Sequence, residues 1–189
     1  AIVFLRQRDN ASWRELASEA ATAHGDSAIL QRFAAEAELE PILADPELML
    51  GKPAADGAFE TVKRCADVLK KVWSEDIAAE EVGGDELVPL ASNLASALRC
   101  AGDDKSSGDV LDATIAKIGK ESVLVRARAL VHLHADEDEK AIALLTEQGN
   151  DPEICLFAAQ LFAAKEPDRA LAQLARIDAA ELPENLKPV

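Results

Sequence analysis

The stretch DPEICLFAAQLFAAKEPDRALAQLARID, residues 151–178, decides how the chain folds. Ile154, Phe157, Ala158 and Leu161 fall at i, i+3, i+4 and i+7, the spacing that gathers apolar side chains on one face of an α-helix. Pro167 suits the first turn of a second helix, where a missing backbone N–H costs nothing, and Ala170, Leu174 and Ile177 make the next apolar stripe. Only the short AKEPD separates the two, so they are expected to lie antiparallel. The alanines let such helices approach closely, and the leucines and phenylalanines fill the space between them. Packing explains the stretch without any chemistry.

The arrangement recurs upstream. Leu124, Ala127 and Val131 form a first stripe, HADEDE a turn, and Ala141 and Leu145 a second stripe, with Gly149 as its C-cap. Before that, Leu87, Leu90, Ala91 and Leu94 lead through AGDDKSSGD to Leu111, Ile115 and Ile118, closed by Gly119. The second-helix stripes begin at Leu111, Ala141 and Ala170, 30 and then 29 residues apart, a period that means stacked helical hairpins.

The N-terminal part repeats the theme less regularly. NASWRELASEAATAHGDS has Ser12 and Glu15 in capping-box spacing and Trp13, Leu16, Ala17 and Ala20 on one side, and reads as a second helix whose partner is AIVFLRQR. AILQRFAAEAELE, with Leu30, Phe33, Ala34 and Ala37 in register, is a further first helix. Pro41, Pro46 and Pro53 then break any long helix, giving a Pro-rich insertion near 41–57, before FETVKRCADVLKKVW carries Val62, Cys65, Ala66, Leu69 and Val72. The organisation read from this is helical hairpins over 1–75, a linker at 76–84 beside Gly83 and Gly84, and three hairpins over 85–189, in one continuous solenoid. Trp13 and Trp73 are both assigned to packing, Trp73 with a partly exposed edge.

These residues resemble the tetratricopeptide-repeat family. The resemblance rests on Ala158 between Phe157 and Leu161, on Ala141 and Ala170 early in second helices, on AHGDSAIL as an inter-repeat junction and on RDNASWRELA as a turn into a second helix. It covers most of the chain and implies an all-α fold, an αα-hairpin solenoid of TPR-like repeats, serving as a protein-binding scaffold. The chain lacks the family's Trp-Leu-Gly-Tyr signature, and its spacing is nearer 30 than 34. Some members clamp acidic peptide tails with basic residues, but the matching positions, including Val88, Val125, Cys155 and Ala159, are neutral, so that activity is not carried over.

Composition narrows the function. A formal net charge of −15 over 189 residues repels nucleic-acid backbones and anionic membranes, and the longest basic cluster is the small LKKVW. Aromatic residues make up 4% and Tyr is absent, so the 49% apolar content is mainly helix-forming. Cys65, Cys100 and Cys155 are widely spaced among apolar neighbours, without a CxxC, and read as buried thiols in a cytoplasmic, reducing setting. The apolar run in AIVFLRQRDN is too short for a membrane span, and a chain that opens inside it without Met reads as a piece of a longer polypeptide.

Chemistry finds little support. In HLHADEDE, His132 and His134 point about 200° apart on a helix, and His132 with Asp136 supplies two ligands where a zinc site needs three or four. Arg126 or Arg128 followed by His132 or His134 resembles the arginine-to-histidine motif of HEPN-type helical ribonucleases, against the strong acidity of the chain. VGGDE lacks the Lys of a phosphate loop, and no nucleophile elbow occurs. No cofactor and no metal are expected.

The leading expectation is a non-enzymatic scaffold that takes another protein, as a helix or extended peptide, on a concave face. The groove would be lined by Val88, Ser92, Ala95, Val125, Ala129, His132, Cys155, Ala159 and Phe162, each set spaced i, i+4, i+7 about 100° from the hairpin contact, with Phe162 as anchor. The alternative is a helical regulatory or assembly module of a larger enzyme or complex, in which the stripe is permanently covered, for instance in a homo-oligomer.

Overall fold

The computed structural model describes residues 10–45, 48, 56–163 and 166–178, and among these there is helix, turn and loop but no strand. The protein is all-α, and the chain divides into two compact units, Ala1–Gly119 and Lys120–Val189. In the first, α1 (Asn10–Ala23), α2 (Ala28–Leu43), α3 (Asp56–Ala78), α4 (Gly84–Cys100) and α5 (Asp104–Ile118) follow one another, each packed on the next. α2 also touches α4, and α3 touches α5, so the helices alternate between two layers as stacked αα-hairpins do. In the second unit α6 (Ser122–His134) pairs with α7 (Asp138–Thr146) and α8 (Pro152–Phe162) with α9 (Pro167–Leu174), while α8 lies against both helices of the preceding hairpin.

Many of the periodic residues form the core, although Leu30, Phe33 and Ala34 of α2, Ile115 and Ile118 of α5 and Ala127 of α6 are only half-buried, and α2 buries Ala35 and Leu39 along with Ala37. Leu87, Leu90, Ala91 and Leu94 of α4 are fully buried, as are Val62, Cys65 and Leu69 of α3 and Trp13 and Ala17 of α1. Leu124, Ala141, Leu145, Ile154, Ala158 and Ala170 do the same in the second unit. One stripe ends differently from expectation: α9 stops at Leu174, which is 41% exposed, and Ile177 lies beyond the helix. Pro41 does not end α2, which runs on to Leu43, because the lost N–H bond falls in the final turn where the helix is about to stop. Most of the Pro-rich insertion, with Pro46 and Pro53, lies outside the described residues, as does AIVFLRQR. Leu48 is buried, and its carbonyl accepts a 2.7 Å hydrogen bond from Nη1 of Arg99, itself buried. Residues 76–78 complete α3, leaving 79–83 as the connection to α4. Lys117 reaches from α5 to donate to the carbonyls of Asp76, Ile77 and Ala79 at the end of α3.

The hairpin turns of α4–α5 and α6–α7 share one design. The turn over AGDDKSSGD is shorter than the sequence reading, since α5 already starts at Asp104. After α4, Gly102 takes a φ of 79° and donates to the Arg99 carbonyl, while the Asp103 N–H reaches back to Leu98. After α6, Asp136 takes a φ of 57° and donates to Leu133, while the Glu137 N–H reaches His132. Both are Schellman endings, in which left-handed backbone turns orphan carbonyls back onto the chain. The second helices that follow start at Asp104 and Asp138, 34 residues apart. The 30-residue spacing read from Leu111 and Ala141 compared positions one helical turn out of register, because Leu145 rather than Ala141 is the 34-residue counterpart of Leu111.

Polar bonds tie adjacent elements together. Asp151 caps α8 by accepting from the Ile154 N–H at 3.0 Å and takes the Ser122 hydroxyl, from the start of α6, at 2.6 Å. Partial burial disfavours its charge, but those donors, together with the Glu153 N–H and the nearby Arg126, outweigh that and hold the carboxyl below its ordinary range. Trp73 is half-buried, its Nε1–H donating to Thr114 at 3.0 Å, which turns an interfacial tryptophan inward.

Asp136→Gly is expected to raise stability in urea unfolding by roughly 0.5 kcal/mol, since glycine takes the left-handed turn without a Cβ. Asp151→Ala is expected to lower it by about 1 to 2 kcal/mol through the lost cap. Because the folded carboxyl of Asp151 titrates below its unfolded value of about 3.9, its contribution is present above that pH and disappears as pH falls through the lower, folded value. The stability gap between wild type and Asp151→Ala should therefore close in acid.

Candidate functional site

Most of the side chains expected to line a groove are buried. Ala95, Val125, Ala129, Cys155, Ala159 and Phe162 are buried, Phe162 retaining 8% exposure, while Val88, Ser92 and His132 are half-buried. Val125, Ala129, Ala159 and Phe162 belong to the same apolar cluster as Ala141, Leu145 and Ile154. At the six buried positions the open-groove reading is corrected, and in the second unit the reason is geometric. A helix in a stacked hairpin array meets its own partner on one face and the neighbouring hairpin on another, and α8 packs against both α6 and α7. Ala95 is likewise occupied, its carbonyl accepting from Ser107 at 2.8 Å in the first unit. Phe162 cannot serve as a free anchor, because the guanidinium of Arg169 sits 4.4 Å above its ring.

The three cysteines are free and buried. Burial pushes all three thiols up, Cys65 to about 11, with Arg64 partly opposing the effect there. Such thiols are poor nucleophiles at neutral pH.

The histidine cluster resolves into a turn. α6 stops at His134, so His132 and Asp136 never share a helical face. His132 instead places Nδ1 2.7 Å from a Glu137 carboxylate oxygen, and Lys140 meets the other oxygen at 2.5 Å. The Lys140 bond first, and the His132 bond second, hold the Glu137 carboxyl below its ordinary range. Arg126 pairs with Glu153 at 3.2 Å. Among the described residues no three His, Cys, Asp or Glu side chains converge as metal ligands, and no helix is long and apolar enough to cross a membrane.

What the sequence reading did not find is a cleft beside that turn. It measures about 270 Å³ and is lined by Leu133, Ile142, Leu145, Leu161 and Phe162, with Asp136, Asp138 and Glu166 at its edge. Leu133 lies in the last turn of α6, Ile142 and Leu145 come from α7, and Leu161 and Phe162 from the last turn of α8. Leu133, Ile142 and Leu161 keep partial exposure while packing on the buried cluster, so the cleft is the accessible margin of the core itself. Its signal was available as apolar residues flanking HADEDE, but their convergence depends on how α8 crosses the α6–α7 hairpin. A second cleft, about 260 Å³, lies in the first unit over Ala21, Ala34 and Ala35, walled by the Arg64–Glu38 ion pair.

No family model, no curated protein and no solved structure matches the chain.

If the Ala129 stripe is core, Ala129→Glu should cost at least about 3 kcal/mol, because a carboxylate without a partner is forced into the apolar cluster. Gln160→Glu, on the exposed side of α8, should leave the unfolding midpoint nearly unchanged. Circular dichroism during urea titration separates the two.

Proposed function

We propose that this protein is a non-enzymatic, tetratricopeptide-like interaction scaffold that binds another protein, and that its contact surface in the second unit is the acid-edged apolar cleft rather than the first-helix stripe. The observation that carries this reading is the cleft: partly exposed Leu133, Ile142 and Leu161 stand over a packed core, ringed by carboxylates. An apolar centre with a charged margin is the anatomy of a protein contact. The 34-residue interval between the starts of α5 and α7, and the matching Schellman turns before them, support the tetratricopeptide likeness, while the 29 residues from the start of α7 to that of α9 fall short of the family's period. At about 270 Å³ the cleft falls below the usual range for a drug-sized ligand, roughly 300 to 1,000 Å³, and fits anchoring side chains better than a cofactor.

The assembly-module alternative is favoured by one feature, the exposure of Leu171 and Leu174 on α9, at 64% and 41%. A neighbouring helix of a larger assembly would cover them.

Affinity capture from native extract, with Ile142→Asp and Leu171→Glu/Leu174→Glu run in parallel and helicity checked by circular dichroism, tests both readings. Loss of the retained protein only in folded Ile142→Asp supports the cleft. Loss only in the α9 variant supports the assembly module, and no retained protein with any chain contradicts the scaffold.

A further inference from the structure

The charge at the cleft edge defines its occupant more closely, on the reading just given. Asp136, Glu137, Asp138 and Glu139 line the α6–α7 turn, with Glu166 at the neighbouring cleft, and Lys140 and Arg169 beside them are already committed. Lys140 pairs with Glu137, which also meets His132, and Arg169 pairs with Glu166 at 3.3 Å. Among the described residues no ion pair engages Asp136 or Asp138. Both are exposed, both line the cleft, and both stand next to its apolar wall. The Asp136 position is fixed by the left-handed turn rather than by an ion pair. Two exposed carboxylates without an ion-pair partner disfavour an acidic ligand, and the chain's −15 charge extends that discrimination to long range.

We propose that the cleft receives a cationic amphipathic segment of a partner protein. An apolar side chain enters among Leu133, Ile142 and Leu161, and a Lys or Arg one helical turn away lies against Asp136 and Asp138. Apolar burial supplies affinity and the two carboxylates supply selectivity. A purely cationic chain lacks the first, and an acidic amphipathic helix is refused by the second.

Fluorescence anisotropy with three labelled 18-residue probes tests this: a Leu/Lys amphipathic peptide, its Leu/Glu counterpart, and a Ser/Lys peptide of the same charge. The Leu/Lys probe is expected to bind and the other two to bind at least about tenfold more weakly, a difference on the order of 1.4 kcal/mol. Asp136→Gly, which keeps or improves the turn, should weaken the Leu/Lys probe about threefold, as for a partly exposed ion pair, and Asp138→Asn similarly. Rising salt should weaken wild type more than the Asp136→Gly/Asp138→Asn double variant. Equal binding of Ser/Lys would overturn the apolar part, and equal binding of Leu/Glu the charge part. Undiminished Leu/Lys binding to the folded double variant would overturn the site. If no probe binds while a partner is still captured in an Ile142-dependent way, the cationic inference fails and the scaffold reading stands. If neither occurs, both fail.

Discussion

The structure depends on helices approaching one another over alanine. Ala91, Ala97 and Ala129 are fully buried, with Ala141, Ala158 and Ala159 close to it. Small side chains at these sites leave room for Leu87, Leu90 and Leu94 to fill the core of the first unit and for Leu124 and Ile154 to fill that of the second, and that burial is what short helices need. α7 and α9 have 9 and 8 residues and would be marginal alone in water. They persist because each lies in contact with the longer first helix of its hairpin.

The same packing decides where binding cannot occur. Any face of α6 that meets α8 through Val125 and Ala129 is used up, however regular its i, i+4, i+7 spacing. The surface proposed for a partner lies where the second unit stops sealing itself, at the ends of helices near the α6–α7 turn. There Leu133, Ile142 and Leu161 remain half-covered, and there the turn chemistry places acidic residues, because Asp tolerates the left-handed backbone at position 136 and acidic residues suit the first turn of α7 at 138. An apolar cleft with an acidic edge is thus a by-product of how one hairpin closes against the next.

Much of the fold was legible. Periodicity marked the core faces correctly at Val62, Cys65, Ala66, Leu69 and Val72 and again at Leu87, Leu90, Ala91 and Leu94, since a helix buries whatever its 3.6-residue repeat aligns. Boundaries were less legible. AGDDKSSGD looks like a long loop because Gly, Ser and Asp dominate it, yet Asp103 caps a helix that starts one residue later, and Ser107 and Gly108 are buried within it. Pro41 looks like a stop, yet it sits in a last turn. The site was hardest to read, because sequence spacing fixes a residue's angle around its own helix but not which neighbour covers that angle. Phe162 and Ala159 have the same register as an open stripe would have, and only the crossing of α8 over α6 and α7 shows them closed.

Cys155 provides the most direct test of this account, since it lies on the disputed stripe and needs no mutation. The measurement is native-state thiol labelling with an alkylating reagent, followed by peptide mapping of Cys155 over time and with rising urea. Packing predicts that Cys155, 1% exposed with its thiol pushed up by burial, labels only as the second unit unfolds. Rapid labelling of Cys155 in fully folded protein would show the stripe open to solvent and contradict the claim that the helices close over it.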